Sequence, residues 1–216
     1  MPQTRPSLRA LQLGLSGLAG LLDATGFLIA NGYFVSFMSG NTTQLGVNAL
    51  DGIGSVLLPA GLIACFLGGV SAGAAIGWTS RVWPKTLLLA VSLVLITVAA
   101  GAYALGSTLG FLIPAAFAMG VVNNVFLRDD SSAAGVTYMT GALVRIGQNF
   151  AARWMKRDDR IKPGYGPLWL CLLAGAVLGT WLHTFDGAIG PLVAVAANAM
   201  LLALAWRTEA RGKVQG

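Results

Sequence analysis

The sequence is poor in charged residues and in the side chains that bind metals. Only 10% of its 216 residues are Asp, Glu, Lys or Arg, whereas a typical soluble domain carries about 25%. It has one histidine and two cysteines, and Cys65 and Cys171 both lie inside apolar runs. Neither a disulfide framework nor a metal site is therefore predicted, and no cofactor is expected.

Two well-known catalytic motifs are missing as well. The patterns HExxH and GxxxxGKS/T do not occur in the sequence, so it offers no zinc peptidase site or phosphate-binding loop. The lone histidine, His183, ends an apolar run, where a structural or interfacial role is the ordinary interpretation. We therefore predict that the protein is not an enzyme.

Apolar residues are in excess, at 56% of the chain and a mean hydropathy of +0.72. Such a chain cannot solvate its surface in water, so we predict an integral membrane protein with the lipid bilayer as its main partner. The net charge of +6 does not indicate nucleic-acid binding. The basic residues gather in loops between apolar runs and form no basic face with interleaved aromatics.

Crossing a bilayer takes roughly 20 apolar residues, and we identify six segments of about that length. The first has Arg5 before it and Arg9 near its start, as in a signal peptide, but it continues through Asp23 into a repeated unit and is assigned to the mature fold. The predicted segments are 8–30, 56–78, 84–105, 109–127, 168–184 and 189–206.

A polar motif of fourteen residues occurs twice, at 35–48 (VSFMSGNTTQLGVN) and at 136–149 (VTYMTGALVRIGQN). The two copies are 101 positions apart, and the same offset carries Asp23 onto Asn124. A polar motif repeated inside hydrophobic sequence indicates internal duplication. We predict a single membrane domain of two repeat halves, 1–107 and 108–216, with a short polar helix in each.

Charge placement distinguishes six spans from eight. If the polar motifs do not cross the membrane and the N-terminus is cytoplasmic, every Lys and Arg except Arg145 falls on the cytoplasmic side. If both motifs cross, Arg81, Lys85 and Arg128 move outside. Because positive charge collects inside, six spans are favoured, with eight as the alternative.

A unit of three spans, repeated in tandem, must insert with opposite orientation. The prediction is therefore an all-α membrane protein of about six transmembrane helices in an inverted three-span repeat. The polar helices would re-enter from opposite sides. The expected location is the bacterial inner membrane, with both termini cytoplasmic.

Polar residues of the two motifs, with Asp23 and Asn124 inside predicted spans, are candidates for a pathway between the halves. A carboxylate within a span is costly unless it has a partner, so Asp23 serves either ion or solute contact or an internal structural pair. The candidate pathway residues are Asp23, Asn41, Thr42, Thr43, Gln44, Asn124, Thr140 and Arg145.

Two local contacts are predicted at these motifs. Arg145 replaces Gln44 in the second copy, and we hypothesise that it contacts Asp23; the alternative is that it reaches the membrane surface. Asn41 and Gln44 have the spacing of a capping box at a helix start. Free N–H groups there would suit a small polar or anionic solute, or the polar groups satisfy one another and lock the halves together.

Glycines recur at a spacing that brings helices together. Gly69 and Gly73 match Gly175 and Gly179, each pair 106 positions apart. Small residues four apart allow close helix approach, so these four are predicted to form packing seams, with ligand contact as the minor alternative.

Three stretches resemble a known family: DATGF at 23–27, FVSFMSGNTT at 34–43 and VTYMTG at 136–141. They are similar to the YoaK-like family of small bacterial membrane proteins, which is defined by a domain of unknown function. The resemblance covers nearly the whole chain and implies a multi-span inner-membrane protein. It implies no substrate and no catalytic residues.

Two function hypotheses follow. The first is a small-solute or ion transporter or channel with a polar pathway between the repeat halves. The second is a membrane scaffold or partner protein that transports nothing and whose polar motifs are internal packing. Either is compatible with a homo-oligomer.

Overall fold

In a computed structural model of the chain, residues 6–80, 82–128, 137–156 and 164–214 are described. They form eight α-helices, one 3-10 turn at Asn48–Leu50 and no strand, which confirms the all-helical prediction. Arg81, one of the basic residues whose position favours six spans, lies outside these ranges. The helices are α1 (Pro6–Ile29), α2 (Met38–Val47), α3 (Ile53–Thr79), α4 (Pro84–Ala104), α5 (Thr108–Val122), α6 (Met139–Trp154), α7 (Tyr165–His183) and α8 (Ile189–Val214).

Five helices, α1, α3, α4, α7 and α8, are long and apolar enough to cross a bilayer. This confirms the membrane class of the chain. The fifth helix is apolar but has only 15 residues, and hydrogen-bonded turns continue it to Leu127. The predicted fourth segment, 109–127, is thus helical only in its first part, and the count of six spans stays a prediction.

Much of the buried core comes from α1, α4 and α5, with α5 in contact with both of the others. Their fully buried side chains include Leu15 and Leu22 on α1, Leu89 and Ile96 on α4, and Phe111 on α5. By contrast, α7 buries only two glycines, although it is apolar on all sides. A helix that is apolar all round and yet exposed is the pattern expected of a surface covered by lipid.

The first and seventh helices run side by side in the same direction. The hydroxyl of Ser16 donates to the carbonyl of Leu168 (2.9 Å), and Leu21 meets Gly179 further along both helices. A Cβ on Gly175 would overlap a carbonyl of α1, and one on Gly179 would lie 2.7 Å from the carbonyl oxygen of Leu21. These two glycines therefore lie where the helix backbones touch.

The third and fifth helices form a matching parallel pair. A Cβ on Gly69 would overlap the carbonyl of Phe117. One on Gly73 would lie 3.0 Å from the carbonyl oxygen of Val121 and 2.7 Å from Nδ2 of Asn124. As in the other pair, the absent side chains let two backbones approach.

The fourth and eighth helices cross in opposite directions. Near the middle of both, Nδ2 of Asn198 donates to the hydroxyl oxygen of Ser92 (2.7 Å). At one end, the hydroxyl of Thr86 at the start of α4 donates to the carboxylate of Glu209 late in α8 (2.6 Å). The short turn at 105–107 also makes α4 and α5 antiparallel.

The first and eighth helices are antiparallel as well. Gly14 early in α1 faces Leu201, whereas Thr25 late in α1 faces Gly190 at the start of α8. Taken together, the pairings make α1, α4 and α7 run one way and α3, α5 and α8 the other. The long helices thus alternate in direction along the chain.

One end of the bundle collects basic side chains. The guanidinium of Arg128 donates to the carbonyl of Trp78 at the end of α3 (2.9 Å). Beside it, Glu209 accepts the N–H groups of Lys85 (2.9 Å) and Thr86 (3.1 Å). A carboxylate here satisfies N–H groups that the first turn of α4 would leave free.

Candidate functional site

Asp23 organises the first polar segment. We define the first hairpin as residues 31–50, and its loop folds back along the last turns of α1. One carboxylate oxygen of Asp23 accepts the backbone N–H groups of Val35 (3.0 Å), Ser36 (2.7 Å) and Phe37 (3.3 Å). The other accepts the hydroxyl of Ser36 (2.5 Å). Four donors from one loop therefore converge on a single carboxylate.

Asn41 makes a second attachment inside the same hairpin. Its side-chain oxygen accepts the N–H of Phe34 (3.0 Å), and its amide nitrogen donates to the carbonyl of Phe34 (2.7 Å). The side chain is fully buried, so both polar groups of one loop residue are satisfied where water is scarce. The loop before α2 is thus held from both sides.

The predicted capping box is wrong. The second helix begins at Met38 after Phe37, and no side chain caps it. Asn41 lies one turn inside the helix, and its amide is used by Phe34. Gln44 instead donates weakly to the carbonyl of Gly32 (3.4 Å).

The second hairpin, residues 137–154, is attached by Asn123. Its side-chain oxygen accepts both the N–H (3.4 Å) and the hydroxyl (3.2 Å) of Thr137. Thr137 is the residue that matches Ser36 in the repeated motif, so Asn123 occupies the role of Asp23. Asn124, the match predicted from sequence, instead donates to the carbonyl of Val70 on α3 (3.0 Å).

The predicted contact between Asp23 and Arg145 is wrong. Arg145 lies on α6 with an exposed side chain, and among the residues that the structure describes it forms no ion pair with Asp23. The carboxylate of Asp23 is taken by donors of its own hairpin. The alternative, that Arg145 extends to the membrane surface, agrees with its exposure.

Three other candidates stay on the outside of their helices. Thr42 and Thr43 donate to carbonyl oxygens one turn back in α2, at 2.8 and 3.1 Å. Thr140 is exposed at the start of α6. Asp23, Asn41 and Gln44 therefore surround one loop, whereas Asn124, Thr140 and Arg145 belong to the other half.

A cleft of about 430 Å³ opens beside the first hairpin. Gly40 shapes it, because a Cβ there would lie 2.5 Å from the ring of Phe37 and 2.9 Å from that of Phe34. Those two rings meet edge to face, with centroids 5.1 Å apart. Of the predicted pathway residues, Thr43 and Gln44 contribute to the lining, which consists of Phe34, Phe37, Ser39, Gly40, Thr43, Gln44 and Val47.

Metal-binding geometry does not occur in the described ranges. No three His, Cys, Asp or Glu side chains come together there in a way that could hold an ion. Cys65 and Cys171 are both free thiols.

Sequence reasoning missed Ser36 and Asn123 as attachment residues. The signal was present: Ser36 and Thr137 are equivalent hydroxyl residues in the two motif copies. Shifting the preceding helix by one position would have aligned Asp23 with Asn123.

The fold and these attachments define a class: a multi-pass, all-helical membrane protein with two short polar helices, each folded back on a longer one. The chain belongs to the family described as "Protein of unknown function (DUF1275)", whose sequence model matches residues 11–205. It is 36% identical over 204 residues to the UPF0700 transmembrane protein RA0705 of Rhizobium meliloti (strain 1021), covering 94% of this chain and 88% of that protein.

No solved structure matches the chain significantly. The resemblance to a family of membrane proteins of unknown function, predicted from the repeated motifs, is confirmed by the family match.

Proposed function

We propose that this protein is a small-solute transporter or channel with six spans in an inverted repeat and a polar pathway between the two halves. The observation that carries the proposal is the pair of equivalent attachments, Ser36 to Asp23 and Thr137 to Asn123, on helices that run in opposite directions. Inverted repeats with broken or re-entrant polar segments are the architecture of many secondary transporters.

The helix directions support six spans. Because α1 and α3 run in opposite directions, the chain between them reverses once and the first hairpin need not cross. The same holds for α5 and α7 around the second hairpin. The turns after Val122 would extend α5, which alone is about 22 Å long, toward the far surface.

The seams between helices support the inverted relation. Gly69 on α3 contacts α5, and Gly175 on α7 contacts α1 in the same way. The helices of each pair, α3 with α5 and α7 with α1, run parallel. Both pairs join one half to the other. In such an arrangement the two hairpins approach from opposite sides of the membrane.

The basic end of the bundle supports the orientation. Lys85, Arg128, Arg207 and Arg211 belong to helix ends that lie on the same side as the start of α1. Because positive charge is retained on the cytoplasmic side, we place this end and both termini in the cytoplasm of a bacterial inner membrane. We propose transport rather than enzymatic catalysis, since neither HExxH nor GxxxxGKS/T occurs in the sequence.

A second candidate function is a scaffold that transports nothing. The observation that favours it is the internal satisfaction of Asp23 and Asn41, whose polar groups all bond to their own hairpin. Buried groups paired in this way stabilise a structure without any solute. Thr43 and Gln44, beside the open cleft, are the residues that distinguish the two functions.

Solute flux in proteoliposomes tests the proposal. Vesicles would be challenged with urea, glycerol, glycine and formate, and volume changes followed by stopped-flow light scattering. We expect protein-dependent entry of at least one solute, and reduced entry for Thr43→Val with Gln44→Leu. Thr97→Val is the matched control, because the Thr97 hydroxyl bonds only within α4, to Leu93 (2.7 Å). No entry of any solute, or equal entry in all variants, would favour the scaffold.

Thiol labelling tests the topology separately. With Cys65 and Cys171 replaced by alanine, single cysteines at Thr43 and Val144 would be exposed to a membrane-impermeant reagent in intact cells and in inverted vesicles. We expect position 43 to react from outside and position 144 from inside. Reaction of both from the same side would indicate the parallel arrangement of eight spans.

A further inference from the structure

The sixth helix carries an apolar side that the described part of the protein leaves uncovered. Leu143, Phe150 and Trp154 are spaced at i, i+7 and i+11, so they lie within about 40° of one another around the helix. Phe150 is 67% exposed and Trp154 is 91% exposed. Large apolar side chains at this exposure need a cover other than water.

Basic residues border the same helix. Arg145 lies opposite the apolar side, Arg153 lies near its edge, and Lys156 follows the last turn; all three are exposed. No acidic residue occurs between positions 137 and 156. The helix packs on α7, and Ala142 is its one buried residue.

The equivalent helix of the first hairpin has none of this charge. The segment Met38–Val47 contains no Lys, Arg, Asp or Glu. A charged helix is therefore not needed to build a hairpin in this fold. The basic side chains of α6 require an explanation specific to the second half.

We propose that α6 lies in the membrane interface and binds the phosphate groups of anionic phospholipids through Arg145, Arg153 and Lys156. Phe150 and Trp154 would enter the boundary between headgroups and acyl chains. Helices with aromatic and aliphatic residues on one side and Lys or Arg on the other bind in this way. The inference does not depend on transport: a scaffold would bind lipid equally well.

Charge complementarity favours an anionic lipid over a soluble partner. The basic residues have no acidic neighbour on the helix, and Trp is enriched at headgroup depth in membrane proteins. Each Lys or Arg near an anionic leaflet contributes about 1 kcal/mol. Removing two of them is therefore expected to weaken lipid binding by roughly 30-fold.

The test compares lipids on the purified full-length protein in dodecyl maltoside. Dioleoyl phosphatidylglycerol is expected to raise the melting temperature at lower concentration than dioleoyl phosphatidylcholine, because only the former is anionic. The double variant Arg145→Gln with Arg153→Gln should lose most of this difference. The comparison variant, Arg207→Gln with Arg211→Gln, removes two exposed charges from α8 at the same end of the bundle and should lose less of the difference, because it leaves the basic residues of α6 beside Phe150 and Trp154.

Three further measurements keep the test decisive. Arg145→Lys with Arg153→Lys should restore the preference for phosphatidylglycerol, which excludes misfolding as the cause of its loss. Half-molar NaCl should reduce the preference through screening. Glycerol phosphate should give no shift, because it offers no apolar partner to Phe150 and Trp154.

The proposal is overturned if both lipids stabilise the protein equally. It is also overturned if the α8 variant loses the preference as fully as the α6 variant does. If glycerol phosphate raises the melting temperature as much as phosphatidylglycerol does, α6 binds a simple anion rather than a lipid surface, and the proposal is overturned.

Discussion

The two hairpins share a motif but are attached by different chemistry. In the first, the carboxylate of Asp23 accepts four donors from residues 35–37. In the second, the amide oxygen of Asn123 accepts two donors from one residue, Thr137. The comparison teaches that the backbone reversal needs an acceptor at this point of the preceding helix and that a charge is optional.

The two hairpins also differ in one buried residue and in the charge that they expose. The first adds the buried Asn41, which is hydrogen-bonded to the loop; the second has Ala142 at the equivalent position, with nothing to donate. The helix of the second hairpin, α6, is longer than α2 and carries Arg145 at the position where α2 carries Gln44. The more firmly attached hairpin borders the cleft, and the less firmly attached one presents charge.

Removing the carboxylate of the first hairpin should have the largest effect. Asp23→Ala leaves the N–H groups of Val35 and Ser36 without their acceptor, and each such loss costs about 1–3 kcal/mol. We expect a destabilisation of at least about 3 kcal/mol in detergent unfolding, with faster hydrogen exchange at residues 35–37. Asp23→Asn keeps one acceptor oxygen and should lose less. Equal stability of Asp23→Ala and wild type would contradict the role of Asp23.

Replacing Asn41, whose equivalent in the second hairpin is Ala142, should have the second largest effect on stability. Asn41→Ala removes both bonds to Phe34 and should cost about 2 kcal/mol, measured by thermal unfolding. The reverse change, Ala142→Asn, places an amide in a buried position and is not expected to stabilise the second hairpin. Stabilisation by Ala142→Asn would mean that a partner is in fact within reach.

Weakening the second attachment should matter less than weakening the first. Asn123→Ala removes the acceptor of Thr137 and should cost about 1–2 kcal/mol. Faster hydrogen exchange should be confined to the second hairpin. Thr97→Ala, which breaks only a bond within one helix, serves as the control for both hairpins. A loss larger than that of Asp23→Ala would reverse the proposed ranking.

Exchanging the exposed residues should have the smallest effect on stability. Arg145→Gln is expected to change the unfolding free energy by less than about 0.5 kcal/mol in neutral detergent, as for most surface substitutions. The same variant should be measured with and without phosphatidylglycerol. A large loss in neutral detergent would show that Arg145 has a structural partner.

The class of the protein and most of its helices could be predicted from sequence. Long apolar runs of 17–23 residues have few alternatives to a membrane helix, and four of the six predicted segments correspond closely to α1, α3, α4 and α7. The start of α2 was mislocated, because Asn41 and Gln44 imitate a cap. The partners of Asp23 were not predicted, because they are mostly backbone N–H groups of residues 35–37. Every residue except proline has such a group, so the sequence does not mark which ones reach a carboxylate.

By itself, the sequence determined that the chain is a helical membrane protein with a repeated polar motif, since hydropathy and repetition are properties of linear order. Only the tertiary structure decided that Asn123, rather than Asn124, faces its hairpin. One position along an α-helix turns a side chain by about 100°, so a shift too small to notice in sequence points the amide at a different neighbour. Which donors then reach it depends on how the loop folds back, and that depends on packing between helices far apart in the chain.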